Sequence, residues 1–529
     1  MTALAIGAGL SADAANPYLP LWEHIPDGEP YLFDDPDRPG RKRVYIYGSH
    51  DMLKTMYCGT DQVVWSADAD SLDHWRYDGV ILEVKTTPDG SLLHPDGSGD
   101  VLFAPDVAER TLPDGRKEYY LYPNNQAGGR NGMVAKASRP DGPFEVINWN
   151  PDKKGECVGV LGFDPAVFVD DDGRVYGYWG FDKSFGAELD PVTMATVKPG
   201  TEVVEDLIPG RKGNGDFRFF EASSMRKIKD KYVLVYSRWT KDGDFGMPQS
   251  NYTLAYAYSD NPLGPYTYGG TIIDARGRDT DADGRPIATA TPHGNTHGSI
   301  LDINGKWYVF YHRQTGLNEY NRQAMVSPIT VSVEEGPGGK VNISEAEYTS
   351  EGFETDGLNP LNTYPAAIAS HYTGPDGPRQ GLYSGSYIMP RSMRDHNVAD
   401  PYDPVINFNP VVNNVKGSTL GYKYFNFDHL KDIDGPVDLV LDIFPDGAGG
   451  SIEIYTSAPW KGNPSPVGRM EIPGWALTGL SVKADVSAVK SLKGKHPLYL
   501  VFDSPEEGKS VCTLTHLRFE PRKTAKTDR

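Results

Sequence analysis

Short runs of β-branched and aromatic residues recur along the first three fifths of the chain, and turn-forming residues separate them. Turn pairs such as Asp172-Gly173 and Asn304-Gly305 precede several of the runs. This composition, bounded by turns, is typical of β-strands joined in hairpins. The aromatic-rich runs are residues 44–47, 119–122, 175–179, 232–236 and 307–311.

The spacing of these five runs predicts a radial fold. Successive runs begin about 55 to 75 residues apart, which suits a four-stranded blade with loops of uneven length. We therefore predict an all-β chain whose first part is a five-bladed β-propeller. A last strand pattern, at residues 341–349, is expected to pair near the chain start and so hide an edge strand.

The pattern changes beyond residue 350. Residues 356–377 are dense in Asn, Pro, Gly and small residues, as in a connector. Later runs alternate apolar and polar residues, which predicts a β-sandwich of jelly-roll type. The predicted boundaries are a propeller at 1–350, a linker at 351–377, a sandwich at 378–521 and a polar tail at 522–529.

Charge narrows the choice of partner. The 529 residues carry 72 acidic and 52 basic side chains, a formal net charge of −20. Such a chain repels nucleic acid and anionic membranes and suits a neutral substrate. No apolar run is long enough to cross a bilayer. The apolar stretch at residues 2–10 lacks a preceding Lys or Arg, so a cytoplasmic location is favoured over secretion.

Three carboxylates stand beside turn-forming or small residues at the edges of strand patterns. They are Asp27, Asp164 and Glu221, and the last two follow aromatic residues. An acid among aromatic residues is rarely a solvated surface charge, and desolvation favours its neutral form. Three other acids near Asp27 are rival candidates for the functional carboxylate of this segment: Glu29, Asp34 and Asp35.

The order of further motifs resembles glycoside hydrolase family 43. They are YGSHD at 47–51, FAPDV at 103–107, FVDDDG at 168–173 and HGSI at 297–300. The resemblance covers residues 16–350. It implies that Asp27 is the general base and Glu221 the general acid. It also implies that Asp164 adjusts the pKa of the general acid and orients it. The family reaction inverts the anomeric centre, which requires a base-to-acid separation of about 6.5 to 9.5 Å.

The resemblance also implies residues that bind substrate. Arg313 looks like a family arginine that reaches sugar hydroxyls, with a surface charge as the alternative. Trp22 and Phe103 are expected beside the pocket, where an aromatic face can pack on a sugar ring, with a place in the blade core as the alternative. The family histidine that matches His297 lies on the propeller axis near a cation or a water. A calcium ion at His297 is therefore an alternative to a satisfied, hydrogen-bonded histidine, although no cofactor is required for the reaction.

The C-terminal module resembles a family 6 carbohydrate-binding domain over about residues 378–521. The resemblance rests on residues 421–427, 449–454, 473–475 and 494–502. Trp460 and Trp475 could offer sugar-stacking faces, or could be packing residues. The module could bind sugar or only support the catalytic domain.

The resemblance implies an exo-acting glycosidase on arabinose- or xylose-containing plant oligosaccharides or polysaccharides. An α-L-arabinofuranosidase is the leading prediction, a β-xylosidase the second and an endo-arabinanase the third. A non-catalytic carbohydrate-binding propeller is the alternative of a different class. The sequence leaves the oligomeric state open.

Overall fold

The structure is a computed structural model that describes residues 10–11, 15–52, 55–213, 215–291, 294–315, 318–379, 387–391 and 396–522. Strands dominate this part of the chain, which confirms the all-β prediction. None of its helices is long and apolar enough to span a membrane. The helices are single 3₁₀ segments: η1 (Asp244–Gly246), η2 (Ala366–Ile368), η3 (Phe427–Leu430) and η4 (Ser487–Ser491).

A short strand, β1 (Leu10–Ser11), precedes five antiparallel sheets that follow one another along the chain. Four of these sheets have four strands and the fifth has three, as in a five-bladed propeller. The first two blades are β2 (Glu29–Asp34), β3 (Lys42–Tyr47), β4 (Asp61–Asp68) and β5 (Ser71–Glu83), then β6 (Asp106–Thr111), β7 (Lys117–Tyr122), β8 (Ala135–Ala137) and β9 (Glu145–Val146). The third and fourth blades are β10 (Ala166–Val169), β11 (Val175–Phe181), β12 (Lys183–Leu189) and β13 (Val204–Glu205), then β14 (Phe219–Ile228), β15 (Lys231–Arg238), β16 (Thr253–Ser259) and β17 (Thr267–Asp274). After the hairpin β18 (Arg278–Thr280) and β19 (Pro286–Ala288), the fifth blade is β20 (Ser299–Ile303), β21 (Lys306–Gln314) and β22 (Arg322–Ile329).

Each aromatic-rich run of the sequence is the second strand of a blade: β3, β7, β11, β15 and β21. These strands have a partner on each side, and the faces of each blade pack against the neighbouring blades. A strand that is buried on both faces is apolar along its length and does not alternate apolar with polar residues. The runs were therefore visible in the sequence because nearly every position is apolar or aromatic.

The ring closes by side-chain packing between the first and fifth blades. One apolar cluster contains Val44 and Trp65 of the first blade together with Phe310 and Val326 of the fifth. Within the part of the chain that the structure describes, the predicted pairing of residues 341–349 with the chain start is not found as a strand ladder. Instead β24 (Val341–Ile343) pairs with β23 (Val331–Val333), and the chain start meets this region through the Asn16 N–H, which donates to the Ser350 carbonyl at 3.0 Å.

Two further sheets face each other across one apolar core, as expected for a sandwich. The predicted linker is wrong in one respect, since residues 362–374 contribute strands to both sheets and β1 extends one of them. Of the predicted tail, Arg522 is described and its N–H bonds the Pro436 carbonyl, while residues 523–529 lie outside the described part. Besides β1, the strands of the two sandwich sheets are β25 (Asn362–Pro365), β26 (His371–Gly374), β27 (Gly377–Pro378), β28 (Thr419–Asn426), β29 (Val437–Pro445), β30 (Gly450–Tyr455), β31 (Gly468–Ile472), β32 (Leu480–Asp485), β33 (Lys495–Asp503) and β34 (Cys512–Pro521).

Candidate active site

A cavity of about 500 Å³ lies where the innermost strands of all five blades begin. The three predicted acids line it together with Phe103 and His297, so the fold brings together residues separated by up to 270 positions in the chain. Cavities of this size, with aromatic walls and a few polar groups, are typical of small-molecule sites. The full lining is Asp27, Tyr57, Cys58, Phe103, Ala104, Gln126, Phe163, Asp164, Phe181, Phe220, Glu221, Asn251, Gly294, Asn295, His297, Glu319 and Arg322.

The backbone presents each acid by a local departure from regular strand geometry. Asp27 and Asp164 lie just before β2 and β10 with φ of 59° and 47°, a left-handed conformation that Asp tolerates better than most residues. Glu221 lies within β14, where the register shifts on both sides and Ala222 has φ of 68°. A bulge of this kind re-aims a side chain beside a site.

Asp27 is held as a carboxylate. Its Oδ1 accepts from Arg322 Nη1 at 2.9 Å, and its Oδ2 accepts from Ser49 Oγ at 2.6 Å. Burial is the largest single effect and opposes ionisation, but the Arg322 guanidinium and the smaller effects of neighbours such as Ser49 together outweigh it, so the pKa of Asp27 lies below its ordinary value. An ionised carboxylate with a fixed orientation is suited to accept a proton from water.

His312 fixes the backbone of Asp27. The Asp27 N–H donates to His312 Nδ1 at 3.2 Å, so the ring hydrogen is on Nε2, which donates to the Asn295 carbonyl at 2.8 Å. Burial lowers the pKa of His312 to about 3, which keeps the ring neutral. A neutral ring can accept the Asp27 N–H, whereas an imidazolium could not.

Arg322 is the site residue that the sequence interpretation missed. Its Nε and Nη2 donate to both oxygens of the buried Asp51 at 2.9 Å, and Nη1 reaches Asp27. The YGSHD motif already contained Asp51, which accepts from Arg322, and Ser49, which donates to Asp27. Arg322 itself gave no comparable signal, because it is the first of two polar residues that begin β22 before an apolar run.

Replacing Arg322 by glutamine is expected to move the acid limb of the pH profile of kcat/KM upward by about 1 to 3 pH units. The substitution removes the cation that holds the pKa of Asp27 down, so the base becomes protonated at a higher pH. Arg322→Lys is the matched control, since it keeps the charge and should shift the limb less. An unchanged acid limb in a folded Arg322→Gln protein would contradict this account of Asp27.

Asp164 and Glu221 compete for one proton. Burial raises the pKa of both, and nearby carboxylates raise it further, to about 8 for Glu221. Asp164 accepts N–H donors from Asn124 Nδ2 at 2.8 Å and from the Ala222 backbone at 3.1 Å, which stabilise its anion. No donor to the Glu221 carboxyl is found among the described residues, so we place the shared proton on Glu221.

The activity of the wild-type enzyme is expected to fall on the alkaline side near pH 8. The proton on Glu221 is lost as the pH rises through its pKa of about 8, while Asp27, with its lowered pKa, stays ionised well into the acid range. The expected profile of kcat/KM is therefore a bell with a broad acidic shoulder. A rate that holds constant up to pH 10 would count against Glu221 as the proton donor.

His297 lines the cavity between Asp164 and Glu29. Its Nδ1 is 3.6 Å from Asp164 Oδ2, and its buried Nε2 is 3.8 Å from Glu29 Oε1. Neither His297 Nε2 nor Glu29 Oε1 has a hydrogen-bond partner among the described residues. A bridging water or a hydrated cation would satisfy both. Calcium at His297 stays a prediction, and since calcium prefers six to eight oxygen ligands it would take most of them from water.

Among the rival candidates for the base, Asp27 is the one that lines the cavity. Glu29 is buried and accepts from Ser224 Oγ at 3.0 Å and Arg226 Nη2 at 2.9 Å. The other two acids lie at the far end of β2 and do not line the cavity: Asp34 pairs with Lys117 and Asp35 pairs with Arg38.

Two predicted substrate contacts are wrong in position. Trp22 lies in the core between the first and fifth blades, and its Nε1 donates to the Pro401 carbonyl at 3.2 Å. Arg313 is buried, and its Nη1 and Nη2 donate to two carbonyls of the C-terminal part, those of Ala369 and Ala367. Arg313 precedes the residue paired with Arg322, so strand alternation directs it to the opposite face.

The aromatic wall was only partly foreseen. Besides Phe103, the wall contains Phe163, Phe181 and Phe220. The ring of Phe181 lies 5.1 Å from that of Phe163 and 4.9 Å from that of Phe220, and Phe181 is 49% exposed. These faces can pack on the apolar face of a ring-shaped substrate at the cavity mouth.

The chain is similar to known glycosidases along most of its length. The profile described as "Glycosyl hydrolases family 43" matches residues 40–337. A xylosidase/arabinosidase of Thermoclostridium stercorarium is 34% identical over 440 residues, which cover 79% of this chain and 84% of that protein. An arabinoxylan arabinofuranohydrolase of Paenibacillus polymyxa is 25% identical over 550 residues, which cover 97% and 77%.

Among solved structures, a family 43 arabinoxylan arabinofuranohydrolase from Bacillus subtilis in complex with cellotetraose is 21% identical to this chain. The match has a TM-score of 0.47 and covers 97% of this chain and 99% of that one. The profile match extends over more than half of the sequence, including Asp164, Glu221, His297 and Arg322. This chain belongs to family 43 of the glycosyl hydrolases.

Proposed function

We propose that this chain is an inverting, exo-acting α-L-arabinofuranosidase that releases terminal arabinose from arabinose-containing plant oligosaccharides or polysaccharides. The observation that carries the reaction type is the meeting, in one cavity, of an ionised acid with a protonated one. Asp27 is held as an anion by Arg322, whereas Glu221 keeps its proton. Two carboxyls driven to opposite protonation states are what glycoside hydrolysis requires.

The reaction follows from these states. Asp27 accepts a proton from a water molecule, whose oxygen attacks the anomeric carbon, while Glu221 donates its proton to the glycosidic oxygen. The bond between the anomeric carbon and that oxygen breaks, so the products are a free sugar of inverted configuration and an alcohol. Asp27 ends protonated and Glu221 ionised, and proton exchange with solvent restores both. The anionic Asp164 beside Glu221 favours protonation of the acid before each turnover.

The proposal that the released sugar is arabinose is supported by the names of the relatives. A relative that aligns with nearly the whole chain, sandwich included, is named an arabinoxylan arabinofuranohydrolase. The relative from Thermoclostridium stercorarium is named a xylosidase/arabinosidase, which supports β-xylosidase as the second candidate. The two sugars present similar hydroxyl arrays, so one cavity can bind either.

Paired 4-nitrophenyl α-L-arabinofuranoside and β-D-xylopyranoside test the substrate. A higher kcat/KM on the arabinoside supports the proposal, and a higher value on the xyloside replaces it with the second candidate. Cleavage of linear arabinan without cleavage of either glycoside would indicate an endo-acting enzyme. Proton NMR of the first product tests the stereochemistry, since an inverting enzyme releases β-arabinose first from the α-linked substrate, and α-arabinose appearing first would overturn inversion.

A further inference from the structure

Three side chains converge, away from the cavity, where the C-terminal part meets the first blade. They are Glu23, which precedes β2, His50, which follows β3, and His396 of the segment that leads to the sandwich strand β28. One ligand atom of each lies within 4.8 Å of the others. His50 Nε2 is 3.3 Å from Glu23 Oε1, and His396 Nε2 is 3.0 Å from Glu23 Oε2.

The surroundings orient these side chains as metal ligands are oriented. His50 Nδ1 is 2.8 Å from Asp61 Oδ1, which directs its Nε2 at the cluster. A carboxylate behind the second nitrogen of a ligating histidine is a recurrent feature of metal sites. Trp65 Nε1 donates to Glu23 Oε2 at 2.9 Å, and the His396 ring stacks on Tyr77 with 4.3 Å between ring centres.

The donor set selects the ion. Two imidazole nitrogens and one carboxylate suit zinc, whereas calcium requires several oxygen ligands. Tetrahedral zinc with bonds of about 2.0 to 2.1 Å separates its ligand atoms by about 3.3 Å. Each histidine Nε2 lies at about that distance from one Glu23 oxygen, and zinc would draw one ligand atom of each residue, now within 4.8 Å of the others, into that geometry. We propose that Glu23, His50 and His396 bind a structural zinc ion that joins the C-terminal part to the propeller. Water or the second Glu23 oxygen completes the coordination.

Protons are the competing occupants of this cluster. A doubly protonated His50 can bridge Asp61 and Glu23, and a hydrogen on His396 Nε2 can reach Glu23 without any metal. Zinc would displace the hydrogens from both Nε2 atoms. The two states therefore differ in metal content and in stability, which makes them separable by experiment without reference to catalysis.

The test uses the full-length protein without a histidine tag, stripped with a chelator, reloaded with zinc and desalted. Elemental analysis is expected to find one zinc per chain, and zinc should raise the melting temperature of the stripped protein. Glu23→Gln and His396→Gln should lose the zinc, while His429→Gln, which removes an exposed histidine of η3, should keep it. Asp61→Asn should weaken zinc binding about 10- to 100-fold.

Cobalt(II) gives a second measurement that needs no variant. Bound to the stripped wild-type protein, it should show the intense visible absorption of a tetrahedral site, and zinc should abolish that absorption. The proposal is overturned if reloaded wild-type protein holds no more zinc than His396→Gln and its cobalt spectrum is that of the free aqueous ion. The cluster would then be an ion pair bridged by protons.

Discussion

Replacing Glu221 by glutamine is expected to reduce kcat about 10²- to 10⁴-fold on substrates whose leaving group is a sugar alcohol. Glutamine has nearly the same shape but cannot donate a proton to the glycosidic oxygen. An activated leaving group such as 4-nitrophenolate needs little protonation, so activity on the aryl glycoside should fall much less. The measurement is kcat on an arabino-oligosaccharide and on the aryl arabinoside. The alkaline limb near pH 8 should also disappear.

Glu205→Gln is the matched control for this substitution. Glu205 lies in β13, has a side chain that is 65% exposed and pairs with Lys183, so its loss should leave both rates unchanged. If Glu221→Gln kept its activity on the oligosaccharide, another acid would have to be the donor. Equal losses on both substrates would point to damage of the cavity rather than loss of a proton donor.

Replacing Asp27 by asparagine is expected to lower kcat about 10²- to 10⁴-fold on both kinds of substrate, because water activation is needed whatever the leaving group. This equal loss distinguishes a base from the acid. The asparagine retains the shape that Ser49 and Arg322 contact, so the cavity should persist. Steady-state rates on the oligosaccharide and on the aryl arabinoside measure the effect.

Asp171→Asn is the control for the base, since the Asp171 side chain is 87% exposed and bonds only Lys227 among its described partners. Far-UV circular dichroism and the melting temperature of Asp27→Asn should show a folded protein. A loss confined to the oligosaccharide would contradict the role of Asp27 and reopen the choice of base.

The C-terminal sandwich has the contacts of a support. Arg313 bonds two of its carbonyls, and the Leu21 N–H donates to Asn407 Oδ1 at 2.6 Å. Trp460 stacks on His371 with 4.9 Å between ring centres, so it is a packing residue. Trp475 is 71% exposed and remains free to stack on a sugar. The resemblance to a family 6 carbohydrate-binding domain stays a prediction.

Parts of the site were predictable because they depend on residues close together in the chain. Asp164 and Glu221 follow aromatic residues at strand edges, where a carboxyl is rarely a solvated surface charge. Arg322 was not predictable from its neighbours, because its partners Asp27 and Asp51 lie more than 270 residues away. Trp22 was misplaced for the same reason, since the segment that covers it belongs to the C-terminal part.

The sequence by itself determined the strand pattern, the repeat of five blades and the three acids, because these follow from local periodicity and from residue types beside turns. Only the tertiary structure decided which acids share a cavity and which arginine faces them. It also decided how the first and fifth blades meet and where residues 362–374 belong. The physical reason is that protonation and packing depend on through-space neighbours. The Arg322 guanidinium keeps Asp27 ionised while Glu221 remains protonated.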